Sequence, residues 1–239
     1  MLDSIRLQNI LFLDIETVSQ YPTFEEVPKK WQKLWEKKSS YFISEGESLS
    51  DTYQRAGIYA EFGKIICISV GVYRMINSKP VFRIKSFFGE NEKELLKGFC
   101  KLLNDRFSSP EYLLCAHNGK EFDFPYLARR ILVNRLKLPY LLDIAGRKPW
   151  EVQHLDTMQL WKFGDYKHYT SLDVLASLFG INSPKKQMDG SDVGRVYWVD
   201  KKMEEIVTYC QNDTLTVAQL LLAYQGKPLI KKDEVELSS

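Results

Sequence analysis

Apolar residues run unbroken through ILFL (10–13) before acids enter at Asp14 and Glu16. A short run of this kind predicts a buried strand over residues 10–16, with both acids where it ends. IICISVGVYR (65–74) is rich in β-branched residues and predicts a second strand. The alternation in VFRIKSFFG (81–89) predicts its neighbour, with residues 77–80 as the turn. Over residues 90–107, Leu95, Leu96, Phe99, Leu102 and Leu103 share one helical face. YLLCAH (112–117) predicts a strand and FPYLARRILVN (124–134) a helix. VQHLDTMQLW (152–161) begins extended, and SLDVLASLFG (171–180) predicts a helix with Ser171 as N-cap and Gly180 as stop. Residues 202–225 form a long helical pattern. Early strands, then alternating elements, then helices predict an α/β fold with a mixed sheet.

Two stretches break this pattern. Residues 20–60 are polar and poor in strand signals, which predicts an insertion carrying a helix, with Thr23 and Glu26 spaced as a capping box. Residues 227–239 are charged and predict a frayed tail. The rest, residues 1–226, is expected to form a single domain. At 239 residues, with 44% hydrophobic and 27% charged residues, the chain can bury a sizeable core and is not a disordered or fibrous sequence. No apolar run approaches the roughly 18 residues of a membrane span, and the acids near the N-terminus exclude a signal peptide. The cysteines, Cys67, Cys100, Cys115 and Cys210, form no CxxC pair, so reduced thiols in a cytoplasm are expected rather than a zinc or disulfide framework. The formal net charge is only +2, so any basic surface must be local.

Three places share an acidic theme. Asp14 and Glu16 lie two apart on a strand and project to one side. Asp123 opens a helix within NGKEFDFPYL, and Asp213 lies in the last helix, one turn after Tyr209. Alone, Asp123 reads equally as an N-cap, and the Tyr209–Asp213 pair as an ordinary helix surface. Together the four carboxylates suit two divalent ions, which at about 3.5–4 Å separation clamp the attacking and leaving oxygens of a phosphodiester. Mg²⁺ prefers such carboxylate and water ligands.

DIET, NGKEFDFPYL and YCQND, in that order, resemble the three exonuclease motifs of the DEDD superfamily. Tyr209, four residues before Asp213, matches the tyrosine branch (DEDDy); the histidine branch would need His at position 208, which is Thr208. Within that branch the chain is similar to predicted bacterial 3′–5′ exonucleases related to the proofreading domain of family-B DNA polymerases. HLDT (154–157), YTSLDVLASLFGI (169–181) and the segment from Lys186 to Gly190 add to the likeness, which covers roughly residues 10–222. The resemblance implies a ribonuclease-H-like α/β fold with a central mixed sheet of about five or six strands. It implies a two-metal exonuclease using Mg²⁺ or Mn²⁺, with Asp14, Glu16, Asp123 and Asp213 as metal ligands and Tyr209 positioning the attacking water. Asn118 and Phe122 would shape the pocket for the terminal nucleotide, and Thr17 would approach the 3′ end. The expected substrate is single-stranded DNA or a frayed 3′ end, released as nucleoside 5′-monophosphates. RNA is the alternative substrate, and a binding module of the same fold without turnover the alternative function.

Two basic stretches are candidates for the strand. PKKWQKLWEKK (28–38) holds five lysines and one acid, with Trp31 and Trp35 one turn apart. The tryptophans can stack bases, or pin the helix to the core while the lysines face water. Between Tyr126 and Lys148, Arg129, Arg130, Arg135, Lys137, Arg147 and Lys148 stand against Asp143, a local excess of five charges. His154 and Asp156 read as a structural contact with each other, and Asp173 as a helix-start residue, outside the site.

Overall fold

The computed structural model describes residues 2–77, 79–165, 169–181 and 188–238. Six strands form one sheet: β1 (Ile10–Ser19), β2 (Gly63–Ile76), β3 (Lys79–Phe88), β4 (Leu113–Ala116), β5 (Leu155–Asp156) and β6 (Val235–Ser238). Their order is β5-β4-β1-β2-β3-β6. β1, β2 and β3 form an antiparallel meander, while β4 runs parallel to β1, β5 parallel to β4, and β6 parallel to β3. The fold is α/β with the mixed sheet the sequence predicts.

β1 is central and covered on both faces, which is why its apolar run is continuous. Leu11, Leu13 and Ile15 face one core with α3 (Glu92–Arg106) and α4 (Asp123–Val133). Ile10 and Phe12 face the other, under α8 (Met203–Tyr224). α3 starts where Asn91 accepts the Glu94 amide, and it buries Leu95, Leu96, Phe99 and Leu103. α5 (Thr157–Lys162) and α6 (Leu172–Leu178) follow β5. Ser171 caps α6 by accepting the Val174 amide at 3.4 Å, and Asp173 lies in that helix's first turn. Ahead of α8, the short helix α7 (Val193–Arg195) runs into a π-helical turn, Val196–Asp200.

Residues 20–62 join β1 to β2 and carry α1 (Lys29–Ser39) and α2 (Leu49–Tyr53). Trp35 is fully buried there and its indole N–H donates to Thr52 at 3.1 Å, whereas Trp31 remains 42% exposed, edge-on to Phe62. The Thr23–Glu26 capping box does not form. Thr23 precedes only a 3₁₀ turn and makes no side-chain cap; its hydroxyl meets the Glu26 carboxylate instead. The reciprocal box belongs to Ser48 and Asp51 at the start of α2. The expected frayed tail is also corrected, because Val235–Ser238 adds β6 to the β3 edge, and Arg83 bonds Glu236 across it at 2.7 Å. His168 and Lys186 lie outside the described residues. Among those described, no helix is long and apolar enough to cross a membrane.

Candidate active site

The site lies where β4 stops. β4 pairs with β1 only over Ile10–Phe12, so the β1 edge is open from Leu13 onward. Asp14 and Glu16 stand on this open stretch, on the α8 side of the sheet. A β-bulge follows directly: Glu16 pairs with Cys67 but Thr17 with Ile65, leaving Ile66 as the extra residue. The bulge re-aims the strand just past the two acids.

Asp123 reaches the same place from α4. Its carboxylate accepts the Ile15 amide, one of the N–H groups that β4 leaves unpaired. Asp213 arrives from α8, and Tyr209, one turn earlier, hydrogen-bonds it. Cys210 fixes the helix against the strand by donating its thiol to the Asp14 carbonyl at 3.3 Å. The structure therefore brings Asp14, Glu16, Asp123, Asp213 and Tyr209 together from three elements.

Packing them costs electrostatic energy. Glu16, Asp123 and Asp213 are only 7%, 3% and 8% exposed. Burial first, then the Asp213 and Asp123 charges, holds the Asp14 carboxyl well above the usual carboxylate range. Glu16 is raised by burial and then by Asp14 and Asp213. Burial pushes Asp123 up to about 8, opposed by backbone amides and helped by Asp156. Burial and the same acids push the Tyr209 phenol far up, so it stays protonated.

This set fits divalent cations. Asp14 Oδ2 is enclosed with no hydrogen-bond partner, a position that natural interiors rarely leave unsatisfied. Asp14, Glu16 and Cys210 each offer an atom within 4.8 Å of one another. The Cys210 thiol is held protonated by burial and by Cys67, and it faces a carbonyl, so the donors available are oxygens. Oxygen ligands suit Mg²⁺ or Mn²⁺ better than softer metals.

The three candidate substrate residues fall differently. Asn118 sits in the β4–α4 turn with a left-handed φ of 62°, its side-chain Oδ1 enclosed without a partner. Phe122 occupies the N-cap position of α4, directly before Asp123, without a side-chain cap, and its ring lies 5.4 Å from Tyr126. Thr17 lies on the opposite face of β1 from the acids, where its hydroxyl bonds Tyr126.

His154 and Asp156 do not contact each other as expected. The Leu114 amide donates to His154 Nδ1 at 3.2 Å, which leaves Nε2–H to donate to the Leu141 carbonyl at 2.6 Å. Asp156, 1% exposed, accepts four amides. Those of Met158 and Gln159 start α5; those of Asn118, at 3.0 Å, and Lys120, at 3.1 Å, pin the turn that carries Asn118 to Asp123. The sequence signal for this role was a polar residue opening a helix directly after a strand.

A family model described as predicted 3′–5′ exonucleases related to the exonuclease domain of PolB matches residues 58–227. The chain belongs to this family. The matched stretch includes Asp123, Tyr209 and Asp213 and starts beyond Asp14 and Glu16. With membership comes the ribonuclease-H-like fold that the motifs implied. A DNA polymerase of Pyrococcus glycovorans is 23% identical over 146 residues, which cover 54% of this chain and 18% of the polymerase. The match thus spans about a fifth of that relative's length.

The raised carboxyls of this exonuclease-family site set the pH dependence of its stability in EDTA. An acid whose folded pKa is raised favours the fold only while protonated. Asp123 therefore contributes stability that is complete below the ordinary aspartate value of 3.8 and lost as pH rises through about 8. The melting temperature in EDTA is expected to fall by several degrees between pH 5 and pH 8.5, and Mn²⁺ to restore it at pH 8.5. Scanning calorimetry at the two pH values checks this; a flat profile in EDTA would show that burial does not hold the Asp123 carboxyl protonated.

Proposed function

We propose that the chain is a metal-dependent 3′–5′ exonuclease of the tyrosine type, acting on single-stranded DNA or frayed 3′ ends and releasing nucleoside 5′-monophosphates. Residues 1–226 are proposed to carry the activity as one domain. The observation that supports it most is the placement of Asp14 and Glu16 side by side, with Asp123 and Asp213 in electrostatic range and Asp14 Oδ2 enclosed and unsatisfied. The relative named as a DNA polymerase favours DNA over RNA.

In this reading Asp14 would contribute to both ion sites, Glu16 and Asp213 would help to hold one ion, and Asp123 would help to hold the other. When bound, the ions supply positive charge at the scissile phosphate and make bound water more acidic. Tyr209, kept protonated, is not the base; its hydroxyl orients the attacking water while bonded to Asp213. Asn118 and Phe122 border the entrance to Asp123 and shape the space for the terminal nucleotide. Asp156 holds that turn in register without touching substrate. Thr17 approaches the strand end through its backbone, since its side chain is engaged by Tyr126.

The test uses 5′-labelled DNA and RNA of one sequence with Mg²⁺, Mn²⁺ or EDTA. A metal-dependent ladder shortening from the 3′ end supports the reading, and the faster substrate identifies the sugar. Binding without product under every condition would replace it with the non-catalytic module. Tyr209→Phe is expected to slow turnover by about 10²-fold while leaving Mn²⁺ affinity by calorimetry unchanged. An equal loss of metal binding would make Tyr209 part of the ion site instead.

A further inference from the structure

The basic stretch between Tyr126 and Lys148 does not act as one block. Arg130 turns inward, 5% exposed, and pairs with Glu92 at 2.6 Å. Lys148 lies over the exposed Trp150 ring at 5.2 Å. Of the other four, Arg129 and Arg147 line a groove of about 470 Å³ between α4 and residues 138–152.

The groove has an apolar lining from Pro125, Ala128 and Leu132, on the flank of α4 beside the buried Phe124, Leu127 and Ile131, and from Leu138 and Ile144 across it. Its charged lining is Lys120, Arg129 and Arg147 against Glu121. Neither arginine pairs with a carboxylate among the described residues. One end of the groove begins at Lys120 and Glu121, inside the turn that delivers Asp123. Unpaired cations over an apolar lining, in a groove whose Lys120 and Glu121 end lies two to three residues before Asp123, complement a polyanion whose bases carry apolar faces.

We propose that this groove binds the single strand on the 5′ side of the terminal nucleotide, with Arg129 and Arg147 meeting its phosphates. This rests on the exonuclease reading above. From Asp123 to Leu132 the helix offers a track of about 14 Å.

The experiment compares the unaltered protein with Arg129→Glu/Arg147→Glu and Arg129→Lys/Arg147→Lys, using two probes. The first is a labelled DNA of about 12 nucleotides, bound in EDTA and followed by anisotropy across a salt series. The second is a thymidine 5′-monophosphate p-nitrophenyl ester with Mn²⁺, too short to enter the groove. The Glu variant is expected to bind the strand at least about tenfold more weakly, with a salt slope smaller by about 1.4, two contacts' worth. The Lys variant should keep the slope, and all three proteins should hydrolyse the ester within about twofold of one another. Unchanged strand affinity and slope in the Glu variant overturns the proposal, and would turn the groove and the exposed Leu132, Val133 and Tyr140 into a protein-docking edge. Failure of the unaltered protein to cut the ester counts against the exonuclease reading alone, because strand binding is measured without turnover.

Discussion

Asp14→Asn is expected to reduce exonuclease turnover by at least about 10³-fold while raising the melting temperature of the protein in EDTA. The first effect follows from the position of Asp14 among Glu16, Asp123 and Asp213, where under the proposed mechanism it would serve both ions. Metal-ion stabilisation of a developing phosphoryl charge is worth several kcal/mol, and each ~1.4 kcal/mol is tenfold in rate. The second effect has the opposite sign because the amide keeps the shape of the carboxyl and removes its charge. Glu16 and Asp213 then lose a neighbour that repels them. A stabilisation of about 1–2 kcal/mol corresponds to roughly 2–8 °C for a chain of this size. Turnover on a labelled strand and calorimetry at pH 8 check the two halves. Near-normal rates would remove the two-ion model, and a fall in melting temperature would show that the acids are not crowded.

Arg130→Met is expected to cost about 3–5 kcal/mol of stability, lowering the melting temperature on the order of 10 °C. The guanidinium donates to Glu92 at 2.8 and 2.6 Å and to the Ala60 carbonyl at 2.9 Å. Glu92 also accepts the Ile65 amide at 2.8 Å and the Asn134 amide group at 2.9 Å. One buried pair thus ties α3, α4, β2 and the segment after α2. Losing the arginine leaves a carboxylate 8% exposed without its hydrogen-bonded partner, with only the half-buried Lys64 in electrostatic range, and that poorly compensated charge is the larger part of the penalty. The double change Glu92→Leu/Arg130→Met should recover much of the loss. Denaturant melts of the single and double variants measure it; a cost below about 1 kcal/mol for the single change would mean that water reaches Glu92. Ester hydrolysis at low temperature should survive, since neither residue faces the acids.

Much of this was legible in the chain. The apolar runs of β1, β2 and β4 are covered on both faces, so hydrophobicity alone marks them, and acids ending such a run stand out. Asp123 and Asp213 could be matched only through motif order, because each, taken alone, looks like an ordinary helix residue. Other features depend on partners distant in sequence. Arg130 and Arg129 are adjacent and chemically alike, yet one faces Glu92 across the core and the other faces water. Asp156 could be read as a helix cap but not as the anchor of a turn some forty residues earlier. The Thr23–Glu26 spacing matched a capping box, but the real one at Ser48 and Asp51 was set by where the loop turns helical. β6 is only four residues, two of them apolar, set in a charged tail, and it therefore carries a weak hydrophobic signal.

That last strand also governs how the molecule meets its own copies. β3 offers its outer row of amides and carbonyls along Phe82 to Lys85, and β6 occupies it. Without Val235–Ser238 those groups would be free to pair with another molecule's strand, beside the exposed Phe88. Arg83 and Glu236 further place charge along the covered edge. The sheet edge on this side is thus reduced to a four-residue strand carrying Glu236, and so short and charged an edge disfavours edge-to-edge association, a contribution to colloidal behaviour rather than to catalysis.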